Sequence, residues 1–452
     1  MKNHKFLLNF MPLLLSFSIV GCVPNNLNNS FSSSEETSSS EPYSEPEEKF
    51  KYTVLNSSTI LPNQSHQTID AEFIDSIKSF SSKLAKQTLN NSANDLISTF
   101  GLFANMLMVM EATTGETKSQ LETLLSLGFD YDLNNFSKIL SNLSKKRVNS
   151  YDNKTLTETR FKNAFFATDI YSDKIKTEYF NNLKDYFDAD IISGNLSSDN
   201  AINFLIEYIS QNTNGFLTPK YEELKVLKEY PFWFLNTNYI LDTWSNGPYF
   251  SDQGENFIFT NINGEKIYNK RYFYGTEIMR VNEGEEFYAL DLYAFSFKLT
   301  IMIPKDGTDF STFYANNIDN LIFNKYDSRL SKEVSFFIPF FEVESGGKFK
   351  ETISSLGAKK VYDENEAEFA FLDINQKLHL EETFQVSKLR VDNFGFEGAS
   401  YTVSYEEPGN PQPDGEIEKL IFKADRPFLY KIESNKDNIP IYIGSIVDLN
   451  SI

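Results

Sequence analysis

Apolar and polar positions divide this chain into an apolar leader, a polar stretch and a long patterned body. Phe6 to Val20 is a mostly apolar run, preceded by Lys2 and Lys5 and followed by Ile19-Val-Gly-Cys22. It is too short to span a bilayer comfortably and has the charge order of a targeting segment. Residues 23 to about 50 are rich in Ser, Glu, Asn and Pro. Such a composition cannot bury enough apolar surface to offset chain entropy, so it predicts a disordered tether, reaching roughly 30 Å on average.

The body begins with Phe73, Ile77, Phe80 and Leu84 at helical spacing, with Asp70 and Asp75 near the start. That pattern predicts an amphipathic helix over 70–89. Leu102 to Glu111 is apolar nearly all round, as a buried helix is. Gly115 to Leu121 and Ser198 to Gln211 predict two more helices. Phe161 to Thr168, Phe232 to Leu241, Phe297 to Ile303 and Glu333 to Val343 read as long, apolar central strands. Helices early and strands later point to an α+β fold.

Composition narrows the function more than the fold. The formal charge of -21 argues against nucleic acid, whose phosphates require clustered Lys and Arg. One Cys excludes an intramolecular disulfide and a thiolate metal cluster. His4, His66 and His379 are too scattered for metal-ligand spacing, so no metal and no cofactor is expected. Gly-x-Ser-x-Gly, His-Glu-x-x-His and phosphate-loop motifs are missing from the sequence, which disfavours an enzyme.

The last sixty residues carry the sharpest signal. A small-residue segment from Gly395 to Tyr405 leads into an acidic, proline-broken stretch, Glu406 to Glu418. Phe422-Lys-Ala-Asp-Arg-Pro-Phe-Leu429 and Ile441-Tyr-Ile-Gly-Ser-Ile-Val447 follow. This order resembles the reactive-centre region of the serpins. Further matches run in order along the body: Asn94-Asp-Leu-Ile-Ser98, Gly115-x-Thr117, Thr213-Asn-Gly215, Asn236 eight before Trp244, and Leu299-Thr-Ile-Met-Ile-Pro-Lys305. Leu356-Gly357 and Phe369 to Leu372 complete the set.

The resemblance implies a serpin fold: a large central mixed sheet, smaller sheets, about eight or nine helices and an exposed loop. It implies a single-use trap for an extracellular serine or cysteine protease, without catalytic residues of its own. The hinge would be Gly395, Phe396, Glu397, Gly398, Ala399 and Ser400. A polar latch would involve Ser98, Asn236, Trp244 and Gln385, with Gly101 and Gln385 replacing the family's second Ser and its His. Insertion of the cut loop imposes a period of two. Phe396, Gly398, Ser400, Thr402 and Ser404 would turn inward; Glu397, Ala399, Tyr401, Val403 and Tyr405 would not. Phe396 stands where the family has Thr or Ser, so insertion is expected to open a larger gap. Counting from the hinge puts the scissile bond at Gly409-Asn410; counting back from Pro427 puts it near Glu416-Ile417. Arg and Lys do not occur between Arg390 and Lys419, which disfavours a trypsin-like target.

The leader resembles a bacterial lipoprotein signal, cleaved before a lipidated Cys22. The resulting division is 1–21 signal peptide, 22–51 tether and 52–452 serpin domain. The protein would be a monomer anchored by lipid to the outer face of the plasma membrane. The alternative reading is a non-inhibitory surface lipoprotein that uses the same fold for binding.

Overall fold

The computed structural model describes residues 14–24, 49–89, 92–253, 257–268, 271–396 and 417–450. The amphipathic stretch forms α1 (Ala71–Thr88), which buries Phe73, Ile77, Phe80 and Leu84. It packs on α2 (Thr99–Glu111), whose residues are buried from Thr99 through Met110. Nothing polar on α2 has to reach water, so an all-apolar helix is tolerated at the centre of the molecule.

Eight strands form the main sheet. They are β1 (Leu14–Pro24), β2 (Tyr52–Asn56), β3 (Lys146–Val148), β4 (Thr155–Thr168), β5 (Asp190–Gly194), β6 (Phe232–Asp242), β7 (Phe341–Lys348) and β8 (Leu378–Val391). Their spatial order is β7-β8-β1-β6-β4-β5-β2, with β3 pairing β4 off this path. Only β4 and β5 run parallel; the other pairs are antiparallel.

Alternation along β6 assigns the two faces of the sheet. Phe232, Phe234 and Ile240 join the main core with α1 and α2. Trp233, Leu235, Tyr239 and Leu241 lie on the opposite face, with Ile202, Leu205 and Ile209 of α3 (Asp199–Asn212). A second sheet of nine strands contains Phe297–Pro304, Phe428–Ser434 and Pro440–Ile446 in its interior. Ten α-helices, some of a single turn, occur among the described residues.

One sequence expectation needs correction. Glu333 to Val343 is not one strand. Ser328–Pro339 belongs to the second sheet and Phe341–Lys348 to the main one, with Phe340 between them. Pro339 can offer no N–H to a ladder, and the Phe340 amide donates instead to Arg271 O at 2.8 Å. Apolar content continues through this corner because both sheets share one core, so hydrophobicity alone cannot reveal it. In the intact chain the residues of the apolar leader from Leu14 to Pro24 form an interior strand of the main sheet, between β8 and β6.

The N-terminal side of the body is also tied to that sheet. Phe50 and Tyr52 pack on Phe204 of α3, with ring centroids 5.3 and 4.5 Å away. The Asp188 carboxylate accepts from the backbone amides of Thr59 and Ile60 at 2.6 and 3.0 Å and from the Ser58 hydroxyl at 2.7 Å. β2 thus covers the outer edge of β5, which would otherwise present unpaired backbone groups.

Candidate functional site: hinge, slot and latch

β8 ends at Val391, and a tight turn follows. The Asp392 amide donates to Gly395 O at 3.0 Å, closing a hairpin around Asn393 and Phe394. Gly395 makes antiparallel bridges to Asp392 on one side and to Thr243 on the other. The next amide, Phe396 N, donates to Asp242 O at 3.0 Å. The hinge therefore already sits between the strands that flank β1, at the upper end of the gap β1 fills.

Only glycine suits this seat. Gly395 has φ +145, and a Cβ there would lie 2.3 Å from Asp242 O and 2.7 Å from Thr243 Cα. Both are backbone atoms and cannot swing aside. Phe396 is fully buried and meets Trp244 edge-on, with ring centroids 5.1 Å apart. The Trp244 indole N–H donates to Asp392 O at 3.0 Å. Phe396 was expected to need a widened gap during insertion. In the uncut chain it is already buried against Trp244, whose ring packs in turn on Tyr249 and Phe273.

Below the hinge, β1 holds the slot between β8 and β6. Ser16 pairs with Ser387 and Asn238, Ser18 with Gln385 and Asn236, and Val20 with Thr383 and Phe234. Ser387, Gln385, Thr383, Asn236 and Asn238 are all buried. These polar side chains stand two apart on their strands and so line one face of the slot.

The latch forms there in altered composition. Ser98 N donates to Gln385 Oε1 at 3.0 Å, and Gln385 Nε2 donates back to Ser98 O at 3.0 Å. The Ser387 hydroxyl also donates to Gln385 Oε1, at 3.2 Å. Ser98 Oγ caps α2 by accepting from Gly101 N and also accepts from Asn238 Nδ2 at 3.1 Å. A Cβ at Gly101 would stand 2.8 Å from Asn238 Nδ2 and 2.9 Å from Ser98 Oγ, so Gly101 makes room for Asn238.

The four predicted latch residues divide between two places. Ser98 and Gln385 bond directly, and Asn236 lies beside them, donating to Asn163 Oδ1 at 2.8 Å. Trp244 belongs to the hinge. Asn238 and Ser387 were missed, although Asn236 and Asn238, two apart in an otherwise apolar strand, already mark one polar face. The hinge candidates Glu397, Gly398, Ala399 and Ser400 and the scissile candidates Gly409, Asn410 and Glu416 lie outside the described residues. Ile417 is described and leads into a strand, Lys419–Lys423, that runs parallel to Ser328–Pro339. Glu418 anchors this end by accepting from Lys332 Nζ at 2.9 Å.

Asp242 adds a titratable group beneath the hinge. Its fully buried carboxyl accepts from Thr157 Oγ1 at 2.6 Å and from the amides of Ser296 and Phe297 at 2.7 and 2.9 Å. Burial pushes its pKa up, and these hydrogen bonds and Arg147 pull it back, leaving it at about 7. A raised folded-state pKa contributes stability that is complete below the ordinary Asp value. That contribution disappears as pH rises through about 7. Asp242→Asn should therefore remove a loss of stability between about pH 4 and 7 of at most about 1.4 kcal/mol per pH unit. Denaturant midpoints of both proteins across that range check this; parallel pH curves would refute it.

Groups of His, Cys, Asp and Glu able to hold a metal do not occur among the described residues. Nor, among them, is any helix long and apolar enough to cross a membrane. What the geometry defines is a large main sheet whose loop hinge is paired between β8 and the end of β6, beyond the end of β1.

Comparison with known proteins agrees. Residues 75–449 match the family model described as Serpin (serine protease inhibitor). An uncharacterized serpin-like protein of Methanosarcina acetivorans is 25% identical over 387 residues, covering 81% of this chain and 84% of its own length. Serpin B10 of Rhinolophus ferrumequinum is 23% identical over 398 residues, covering 81% and 95%. Among solved structures, the thermophilic serpin tengpin in its native state superposes with a TM-score of 0.67 at 19% identity, covering 87% of this chain and 100% of tengpin. This chain belongs to the serpin family, whose members are generally protease inhibitors rather than enzymes.

Proposed function

We propose that the processed protein is a lipid-anchored trap for extracellular serine or cysteine proteases, working by loop cleavage and strand insertion. The observation that carries this reading is the seating of Gly395 between both flanking strands. Extending its pairing with Asp392 brings Ala399 opposite Lys388; extending its pairing with Thr243 brings Ala399 opposite Tyr239. Those two residues are partners of one and the same residue of β1, Leu15. Both sides of the slot thus give one register for an inserted loop.

In that register Ser400 falls between Ser387 and Asn238, and Thr402 between Gln385 and Asn236. Each hydroxyl can donate or accept there, so insertion places small polar groups on a polar face instead of stranding buried ones. Tyr401, Val403 and Tyr405 turn toward the α3 side. Tyr405 takes the position of Gly21, where a Cβ would lie 2.2 Å from the Tyr230 ring. Full insertion therefore has to swing Tyr230 aside, and a cavity of about 570 Å³ bordered by Leu227, Phe384 and Val386 is there to receive it.

The mechanism needs no catalytic group from this chain. The protease serine or cysteine attacks the scissile carbonyl, expels the new amine and remains esterified or thioesterified to the cut loop. Insertion as a strand then carries the acyl-enzyme away before water can reach it in productive geometry. The lack of Arg and Lys in the bait favours proteases that cut after Tyr, Glu or small residues. Cys22 would carry the anchor, since two or more acyl chains hold a protein firmly at a membrane.

Processed protein extracted from membranes with detergent should form complexes with such a protease that survive boiling in denaturant. Clean cleavage without any covalent complex, across serine and cysteine proteases, would overturn inhibition and leave a binding protein on a serpin scaffold. Cys22→Ser should abolish membrane partitioning of the same material.

A further inference from the structure

The residues that hold the slot in the intact chain come from the apolar leader, and their sequence repeats the pattern of the loop. In the shared register Ser16 corresponds to Ser400, Phe17 to Tyr401, Ser18 to Thr402 and Ile19 to Val403. Small hydroxyl residues coincide at alternate register positions, and an aromatic followed by a β-branched residue coincides at the positions between them. β1 is antiparallel to both neighbours, as the inserted loop would be. It runs eleven residues, with a register shift only between Gly21 and Cys22 on the β8 side.

We infer that the uncleaved leader is an intramolecular strand donor that closes the main sheet of the precursor and keeps it from trapping proteases. This rests on the reading that the slot accepts the cut loop. Two strands cannot share one gap, so a loop cut while β1 is in place finds no ladder to join. The hinge is compatible with the closed form, because β1 begins at Leu14, immediately below the seat of Phe396. Hydrolysis of the Gly21–Cys22 amide gives a Gly21 carboxylate and a Cys22 amine, with water as the second reactant. It severs the part of the strand in register with Ser387, Gln385, Asn238 and Asn236, Ser16 and Ser18 included. Release of that piece vacates the slot, so the step that places the protein on the membrane would also arm it.

The central position of Ser18 supplies the test. Proline there lacks the N–H and the φ range of a strand flanked on both sides, so Ser18→Pro disrupts β1 without changing the body. Ser18→Ala keeps the backbone ladder and serves as the control. Intact chains made by cell-free synthesis, with residues 1–21 verified by mass, should melt on the order of 5 to 10 °C above Ser18→Pro, with Ser18→Ala close to the parent. Amides of β6 and β8 should exchange at least about tenfold faster in Ser18→Pro. Nicking the loop should raise the melting temperature of Ser18→Pro and leave the parent unchanged. Equal melting and equal exchange in parent and Ser18→Pro would overturn the inference. Those two measurements use no protease, so they stand or fall separately from inhibition: a processed protein that traps nothing would fail the functional reading alone.

Discussion

Nicking the processed protein between Glu407 and Glu418 should raise its melting temperature by roughly 5 °C, at about 1 °C per kcal/mol for a domain of roughly 400 residues. With the leader gone, the slot between β6 and β8 lacks its strand. A free loop end can then enter in the register set by Gly395. On the order of ten ladder hydrogen bonds form at about 1 kcal/mol net each. Ordering the loop opposes this by about 1 to 2 kcal/mol per residue. The ladder alone would thus roughly balance the entropy, and side chains decide the sign. Ser400 and Thr402 meet the buried amides of Asn238, Asn236 and Gln385, while Tyr401 and Val403 can each gain about 2 kcal/mol by burial on the α3 side. Differential scanning calorimetry before and after limited proteolysis reads the result directly. An unchanged melting temperature would mean that the cut loop stays outside the sheet.

The second large effect concerns the seat of the hinge. Gly395→Ala puts a methyl against Asp242 O and Thr243 Cα, at a φ that side chains rarely adopt. Strain of that kind costs about 1 to 3 kcal/mol where the surroundings enforce it. If the backbone withdraws instead, Phe396 leaves Trp244 and its burial is lost, at about 3 to 5 kcal/mol by analogy with Phe→Ala changes in cores. Either route should lower the melting temperature of the uncut protein and shift its reaction with protease from trapping to plain cleavage. Melting curves and gel ratios of complex to cleaved product measure both. The same geometry makes Phe396→Thr destabilising in the uncut state, because the phenyl ring is an established part of the core. Gly395→Ala with parental melting would show that the hinge is not held in the sheet.

Much of this architecture is legible from local pattern. The helical spacing of Phe73, Ile77, Phe80 and Leu84 led to α1, and the uniform apolarity of Leu102 to Glu111 led to a buried α2, because 3.6-residue periodicity reports directly which side faces a core. The motif order from Asn94 to Val447 was sufficient for the serpin resemblance. Local pattern failed where elements of distant sequence meet. The corner at Pro339 was invisible because the two sheets it joins share one apolar interior. Asn238 and Ser387 were overlooked because their roles depend on Ser98 and Gln385, brought beside them only by pairing across the slot.

The hinge shows the same division. Composition and alternation from Gly395 to Tyr405 marked an insertable segment, since a period of two and small inward residues are properties of the segment itself. That Phe396 is already seated depends on Trp244, which comes from another part of the chain. The leader is the clearest instance. Its charge and apolar run raise the expectation of a targeting segment wherever it lies in space, but its pairing between β6 and β8 depends on two strands more than two hundred residues away. Sequence by itself determined most elements and the family pattern, and raised the expectation of an insertable loop, because these rest on local periodicity and motif order. Tertiary structure alone decided what fills the slot and what holds its mouth, because strand register is settled by partners and not by the strand.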